Sequence, residues 1–170
     1  MHKAKVSRKS EYTKAESTTF DAFSIWVRQS YSINDMVRCY TCGAAKACKG
    51  GIHGIHAGHY VSRKNWKLMF HFDNVRPQCY ECNVKLGGNR QEFEKRLNIE
   101  KGYDFAGQLL RLSNTIDVNR RSIEALKALA KEFRRYPKEK TWLIGGKIYP
   151  NIADFKKHQL IEKFYTQFAI

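Results

Sequence analysis

Residues 74–89 read N-V-R-P-Q-C-Y-E-C-N-V-K-L-G-G-N, and a related stretch, C-Y-T-C-G, stands at residues 39–43. The two C-x-x-C pairs, Cys39/Cys42 and Cys79/Cys82, decide how the chain is read. Each pair suits a tight knuckle that aims two thiolates at one point. Together they supply four soft ligands for tetrahedral Zn2+, the donor set of a closed structural site. A single C-x-x-C is a weak signal, open to a redox reading; the second pair argues against redox chemistry. Thirty-six residues separate the pairs, more than a compact zinc ribbon holds, so the intervening segment is expected to be a structured excursion. Cys48 is left over, near enough in sequence to compete for the metal.

The excursion opens with G-G-I-H-G-I-H-A-G-H-Y-V-S-R at residues 50–63, where His53, His56 and His59 fall three apart. That spacing would align them on a helix, but four glycines in the same run disfavour helix. On a strand, residues three apart point to opposite faces. The spacing therefore defines no site without its flanks. Next comes W-K-L-M-F-H-F-D-N at 66–74, in which His71 reads as a packed side chain among aromatics.

Charge gives the first functional constraint. Thirty-one Lys and Arg face sixteen Asp and Glu, a net charge of +15 spread along the chain. Nucleic acid is the commonest polyanionic partner for such a protein. No apolar stretch approaches a membrane span, and the N-terminal M-H-K-A-K-V-S-R-K-S-E-Y lacks the apolar segment of a signal peptide. A cytoplasmic location with reduced thiols is expected, with no membrane partner.

The chain length suits one domain with appendages. Residues 1–17 read as a flexible basic tail. Thr18 or Thr19 is expected to cap a helix whose apolar face is Phe20, Phe23, Trp26 and Val27. Residues 18–102 form the core region, closed by a helix from Asn89 to near Gly102. Residues 103–170 read as a helical region for DNA binding, dimerisation or both. Its elements are expected at 103–112, at 119–135 (Ile123, Leu126, Ala130 and Phe133 at helical spacing), in a hairpin around Gly145-Gly146, and in an amphipathic helix over 151–168. The basic face of the 119–135 helix suits either solvent or phosphate.

A histidine (His59), an asparagine (Asn74) and a further ligand-type residue (Asn83), bracketed by C-x-x-C knuckles, resemble an HNH nuclease with asparagine in the last position. The chain is similar, more closely, to the NinG/Rap recombination endonucleases of lambdoid phages. Their pattern runs C-x-x-C-G, D-A-G-H-Y, R-F, N-I-H-x-Q-C-x-x-C-N and G-N before a helix. The matching residues are Cys39-Tyr-Thr-Cys42-Gly43, Ala57-Gly58-His59-Tyr60, Phe72 through Asn83, and Gly88-Asn89. The helix bearing Trp26-Val27-Arg28 is also similar. The resemblance extends from about residue 20 to about residue 135, is most specific over 39–89, and leaves 137–170 uncovered.

The resemblance implies an α+β fold: an HNH-type ββα-metal core built on a four-cysteine zinc site and flanked by helices. It implies a phage-encoded endonuclease acting in the host cytoplasm on branched DNA, such as Holliday junctions and D-loops. Symmetric cutting of a junction would need two active sites, hence a homodimer. In an HNH site His59 would be the general base. Asn83 would ligate a catalytic Mg2+ or Mn2+ through its amide oxygen, or cap the following helix. Asn74 would brace the site through backbone hydrogen bonds. His56 stands where the family has aspartate; as a cation ligand it would favour softer metals such as Mn2+. His53 is given no ligand role. Arg63, Lys64, Lys67, Arg76, Lys85 and Arg90 surround the motif as phosphate contacts, which position DNA without reading bases. Two other readings stay open: a non-catalytic zinc-stabilised nucleic-acid-binding module, and a site-specific or nicking HNH enzyme.

Overall fold

Ser10 starts the first helix. Its hydroxyl accepts from the Thr13 amide at 3.2 Å, and Glu11 places negative charge at the helix N-terminus. In the computed structural model, which describes residues 10–115 and 120–135 and the backbone of two strands beyond them, chain order is as follows. Helix α1 (Glu11–Ser30) is followed by β1 (Met36–Arg38), β2 (Ala45–Ala47), β3 (Ile55–His59), β4 (Val75–Cys79), α2 (Arg90–Lys101), α3 (Phe105–Asn114), α4 (Ile123–Arg135), β5 (Trp142–Ile144) and β6 (Lys147–Tyr149). The fold is α+β, with helices around small two-stranded antiparallel sheets. Among the described residues no helix is long and apolar enough to cross a membrane.

The first helix begins well before the Thr18 or Thr19 cap expected from the sequence. Residues 11–17, assigned there to a flexible tail, belong to α1, because the Ser10 cap starts the helix early and Ala15 extends its buried face. Thr19 is fully buried, and its hydroxyl lies 2.8 Å from the Leu126 carbonyl oxygen of α4. Around that contact Ala22, Phe23, Trp26 and Val27 meet Leu129, Ala130 and Phe133 of α4, together with Ala57, Phe72 and Val75. Each buried Phe, Leu or Val there contributes about 1.5–3 kcal/mol. This cluster fixes α1 across one face of the β3–β4 pair.

A second cluster joins Tyr60, Val61 and Leu68 to Phe93 and Leu97 of α2 and to Ala106 and Leu109 of α3. The apolar faces of α3 and α4 thus pack inside the chain, so the helices expected to offer a dimer surface use those faces on α2 and α1. Gly102, with φ +101°, separates α2 from α3 as the sequence suggests. The hairpin expected near Gly145-Gly146 is matched by β5 and β6, which pair with Trp142 opposite Tyr149 and Ile144 opposite Lys147. The helix expected over 151–168 lies outside the described residues.

The centre of the fold is the antiparallel pair β3–β4, with Ile55 opposite Cys79, Ala57 opposite Pro77 and His59 opposite Val75. All five residues of β4 are buried. From β4 the chain enters a π-helical turn, Glu81–Lys85, and then α2. Such turns are rare and recur at functional sites.

Candidate functional site

The two knuckles meet. Cys39 follows β1, and the turn to β2 is closed by bonds from the Cys39 amide to the Ala44 carbonyl (2.8 Å) and from the Gly43 amide to the Cys39 carbonyl (2.9 Å). Gly43 sits at φ +77°, a conformation that glycine adopts without steric cost. Cys79 ends β4 and Cys82 lies in the π-helical turn. The knuckles are also stitched by the Tyr40 amide, which donates to the Pro77 carbonyl at 2.7 Å.

The four Sγ atoms of Cys39, Cys42, Cys79 and Cys82 lie within 4.8 Å of one another, and those of Cys42 and Cys79 are 3.8 Å apart. Four thiolates at the usual Zn–S length of about 2.3 Å stand about 3.8 Å from each other. The cluster can therefore hold a tetrahedral metal such as zinc. Burial pushes the Cys39 thiol up, but the Thr41 hydroxyl and the amides of Cys42, Cys79 and Thr41 outweigh it and bring it down to about 6. Burial holds the Cys42 and Cys79 thiols up, so Cys39 is the sulfur whose surroundings favour the thiolate a metal needs. Cys48 is half-buried against the cluster but is not one of its four converging sulfurs.

His59 closes β3. Its ring stacks on Phe20 of α1 (centroids 5.9 Å apart) and stands 6.5 Å from the Phe23 ring. Its Nε2 lies 2.9 Å from the Met69 carbonyl oxygen, and its Nδ1 lies 3.3 Å from that of Ala57. A carbonyl only accepts, so the shorter contact assigns the neutral ring's proton to Nε2. Nδ1 then carries the lone pair. Burial is the main force holding the imidazole below its ordinary titration range, with Arg63 adding to it. At pH 7 the ring is neutral and able to accept a proton.

Asn74 is fully buried and fastens the loop after His59. Its Oδ1 accepts from the Val61 amide (2.7 Å), and its Nδ2 donates to the carbonyls of Val61 (2.8 Å) and Leu68 (3.0 Å). Since Met69 follows Leu68, these bonds also place the carbonyl that orients His59. Asn83 lies half-buried inside the π-helical turn, not at the start of α2, whose N-cap position is Asn89. Its carboxamide makes no hydrogen bond among the described residues, so a capping role does not describe it.

His56 leaves β3 on the face opposite His59, as the two-residue repeat of a strand requires. Its Nε2 is 3.0 Å from the Gly51 carbonyl oxygen, and its ring centroid is 6.0 Å from that of Tyr80. The two imidazoles are therefore not side by side. His53 is exposed, and His71 accepts from the Asp73 amide at 3.2 Å, capping the short turn before β4. Among the described residues, the four cysteines are the only set of three or more converging His, Cys, Asp or Glu donors. Of the two donors expected for a second cation, His56 faces away from His59 toward the Gly51 carbonyl, and the Asn83 carboxamide makes no hydrogen bond among the described residues; Mg2+ commonly binds through few protein ligands plus waters and phosphate oxygens.

The expected basic contacts divide. Arg63 and Lys64 are exposed on the loop after β3, with the Arg63 guanidinium 4.9 Å from the Phe20 ring centroid. Arg90 is exposed over the Tyr60 ring at 5.2 Å. Lys67 bonds the Thr115 carbonyl at 2.8 Å and also its hydroxyl, and Lys85 pairs with Glu81 at 2.8 Å on an open surface. Arg76 corrects the sequence reading. It is fully buried in β4, where Glu100 grips it at 2.8 and 3.1 Å and the carbonyls of Phe72 and Val75 accept from it. A guanidinium satisfied in that way cannot reach a phosphate; it holds α2 to the strand pair.

Sequence reasoning gave no role to Gln78, Met69 or Phe20 beyond pattern and packing. Met69 acts through its backbone, which no residue-type pattern signals, and Phe20 and Gln78 work through contacts between distant segments.

The chain matches the family model described as Bacteriophage Lambda NinG protein over residues 1–141. No curated protein and no solved structure matches it. The chain belongs to the NinG family.

Proposed function

We propose that this NinG-family protein is a metal-dependent endonuclease that hydrolyses phosphodiester bonds in branched DNA. The observation that carries the reading is the pairing of β3 with β4. It sets a neutral, oriented His59 at one strand end and runs from the other strand through the four-cysteine cluster into the turn bearing the uncommitted Asn83. A strand pair leading into a helical turn and α2 is the arrangement expected of a ββα-metal core.

In this reading the cysteines hold a structural zinc ion, with no open position for water. Asn83 would hold a divalent cation, Mg2+ or Mn2+, with waters and phosphate oxygens completing its shell; when bound, the cation offsets the negative charge developing on the phosphate. His59 takes a proton from the attacking water at Nδ1 as the new P–O bond forms and the ester P–O bond breaks, the leaving ester oxygen keeping the bond's electron pair and taking a proton from solvent water. Its Nε2–H remains on the Met69 carbonyl, which supports the positive charge the ring acquires. Burial disfavours a permanently charged ring, so the base is ready at neutral pH. Asn74 fixes the loop that supplies the Met69 carbonyl. Arg63, Lys64 and Arg90 are exposed, Arg63 over the Phe20 ring that stacks on His59 and Arg90 over the neighbouring Tyr60, and suit the DNA backbone.

The test is direct. Purified protein is incubated with linear, flapped and four-way DNA in Mg2+, in Mn2+ and in chelator. Divalent-dependent cutting of the four-way DNA in preference to the linear duplex supports the proposal. DNA that is bound but intact in every cation would leave a non-catalytic nucleic-acid-binding module. Equal cutting of linear duplex would favour a site-specific or nicking enzyme.

A further inference from the structure

Gln78 is fully buried, opposite His56 in the strand pair and diagonal to Gly58. Its Nε2 donates to the Gly88 carbonyl at 2.7 Å and to the Thr41 hydroxyl oxygen at 3.2 Å. Thr41 Oγ1 in turn lies 3.4 Å from Cys39 Sγ. The carboxamide oxygen has no hydrogen-bond partner and sits directly over Gly58: a Cβ built there would fall 2.1 Å from Oε1 and 2.8 Å from Cδ. Turning the amide over would set its oxygen against the Gly88 carbonyl oxygen, so the orientation is fixed by chemistry.

Three segments therefore meet on one side chain. Thr41 belongs to the first knuckle. Gly88 ends the segment that starts at Cys82 and contains Asn83; its amide donates to the Cys82 carbonyl at 2.9 Å. Gly58 precedes His59, and a Cβ on Gly88 would stand 3.9 Å from the His59 carbonyl oxygen. The unpartnered acceptor is held there because both donor hydrogens of the same amide are engaged. The glycine before His59 also has a physical reason: any side chain at 58 would occupy the volume of the Gln78 carboxamide.

We infer that Gln78 is a positioning residue that locks the Asn83 segment and the His59 strand to each other and to the first knuckle. It touches no reacting atom and acts by fixing the separation of His59 and Asn83. This inference rests on the endonuclease reading for its consequence in catalysis, while the clamp itself can be read without activity.

The test replaces Gln78 with Met, which keeps the length and removes both donors. Metal content is verified, and 15N-labelled wild type and variant are compared by NMR. The Asn83 side-chain amide and His59 ring resonances are expected to move, with the Trp26 indole N–H unchanged. Single-turnover cutting of four-way DNA falls about 10- to 100-fold, the effect of a small misplacement of reacting groups, with Kd for that DNA within about twofold. His59 and Asn83 resonances coinciding with wild type would overturn the clamp. Should wild type cut no DNA in any cation, the endonuclease reading falls and the resonances alone decide the clamp. If Gln78→Met does not fold, a stability cycle replaces it. Gly58→Ala should cost less in a Gln78→Ala background than in wild type, and an equal cost in both overturns the inference.

Discussion

Stripping metal from the four-cysteine cluster is expected to unfold the knuckles while sparing the helical core. The buried cluster around the sulfurs consists of Val37, Ile55, Cys39, Cys79 and Cys82. Only Val37 and Ile55 are aliphatic, each 1% exposed or less. At about 1.5–3 kcal/mol per side chain they contribute about 3–6 kcal/mol. Ordering each residue costs about 1–2 kcal/mol, so apolar burial of that size holds only a few residues of the two knuckles. A structural Zn2+ site contributes about 10–16 kcal/mol of apparent binding energy, comparable to the whole stability of a domain. The contacts between α1 and α4 owe nothing to the metal, because Phe23, Trp26, Leu129, Ala130 and Phe133 pack away from the sulfurs. Amide hydrogen exchange measures the division. After chelation, the Cys39, Tyr40, Gly43 and Gly88 amides should lose protection by more than about a thousandfold, equivalent to about 4 kcal/mol. The Ala22–Val27 amides should change less than about tenfold on the same scale. Metal-free protein whose knuckle amides stay protected, or a metal content other than one zinc per chain, would refute the reasoning.

Burial holds both His59 and His71 below their ordinary range, so the folded chain binds fewer protons than the unfolded one just below pH 6.5. Their contribution to stability is full above pH 6.5 and falls as the pH drops through and below it, which chemical denaturation at pH 7.5, 6.0 and 5.0 would register; in cutting assays the acid limb should lie below pH 6.5, and a limb above it would contradict the neutral buried base. Arg76→Met should destabilise the fold by about 1–3 kcal/mol, since the Phe72 and Val75 carbonyls lose their buried donor, yet leave the salt dependence of DNA binding unchanged; the Arg63→Ala, Lys64→Ala double variant should keep wild-type stability and flatten that dependence, both read from denaturation and from binding titrations over a salt series.

The fold was legible where chemistry is written in residue types at short spacing. Two C-x-x-C pairs specify one metal-binding point, and the structure brings all four sulfurs there. The helix closed by Gly102 and the face bearing Phe23, Trp26 and Val27 follow from backbone freedom and a period near 3.6. The start of α1 was missed because Ser10 and the alanine at 15 are weak signals until α4 covers them. Arg76 was misplaced for a related reason. Arginine in a basic chain reads as surface, and only the packing that sets Glu100 of α2 against β4 reveals a buried arginine held by a carboxylate at the surface. The opposite orientations of His56 and His59 were implicit in a three-residue spacing once β3 is known to be a strand. Gln78 could not be read at all. Its role depends on Thr41 and Gly88, which a pattern of adjacent residues does not bring together.

The central claim is that His59 abstracts the proton from the water attacking a DNA phosphate. Single-turnover cutting of a four-way junction in Mn2+ by His59→Ala, beside a binding titration of the same junction, tests it most directly. The predicted result is unchanged metal content, junction affinity within about twofold, and cutting reduced by about 100-fold or more, the usual contribution of a general base. Cutting by the variant at the wild-type rate would contradict it.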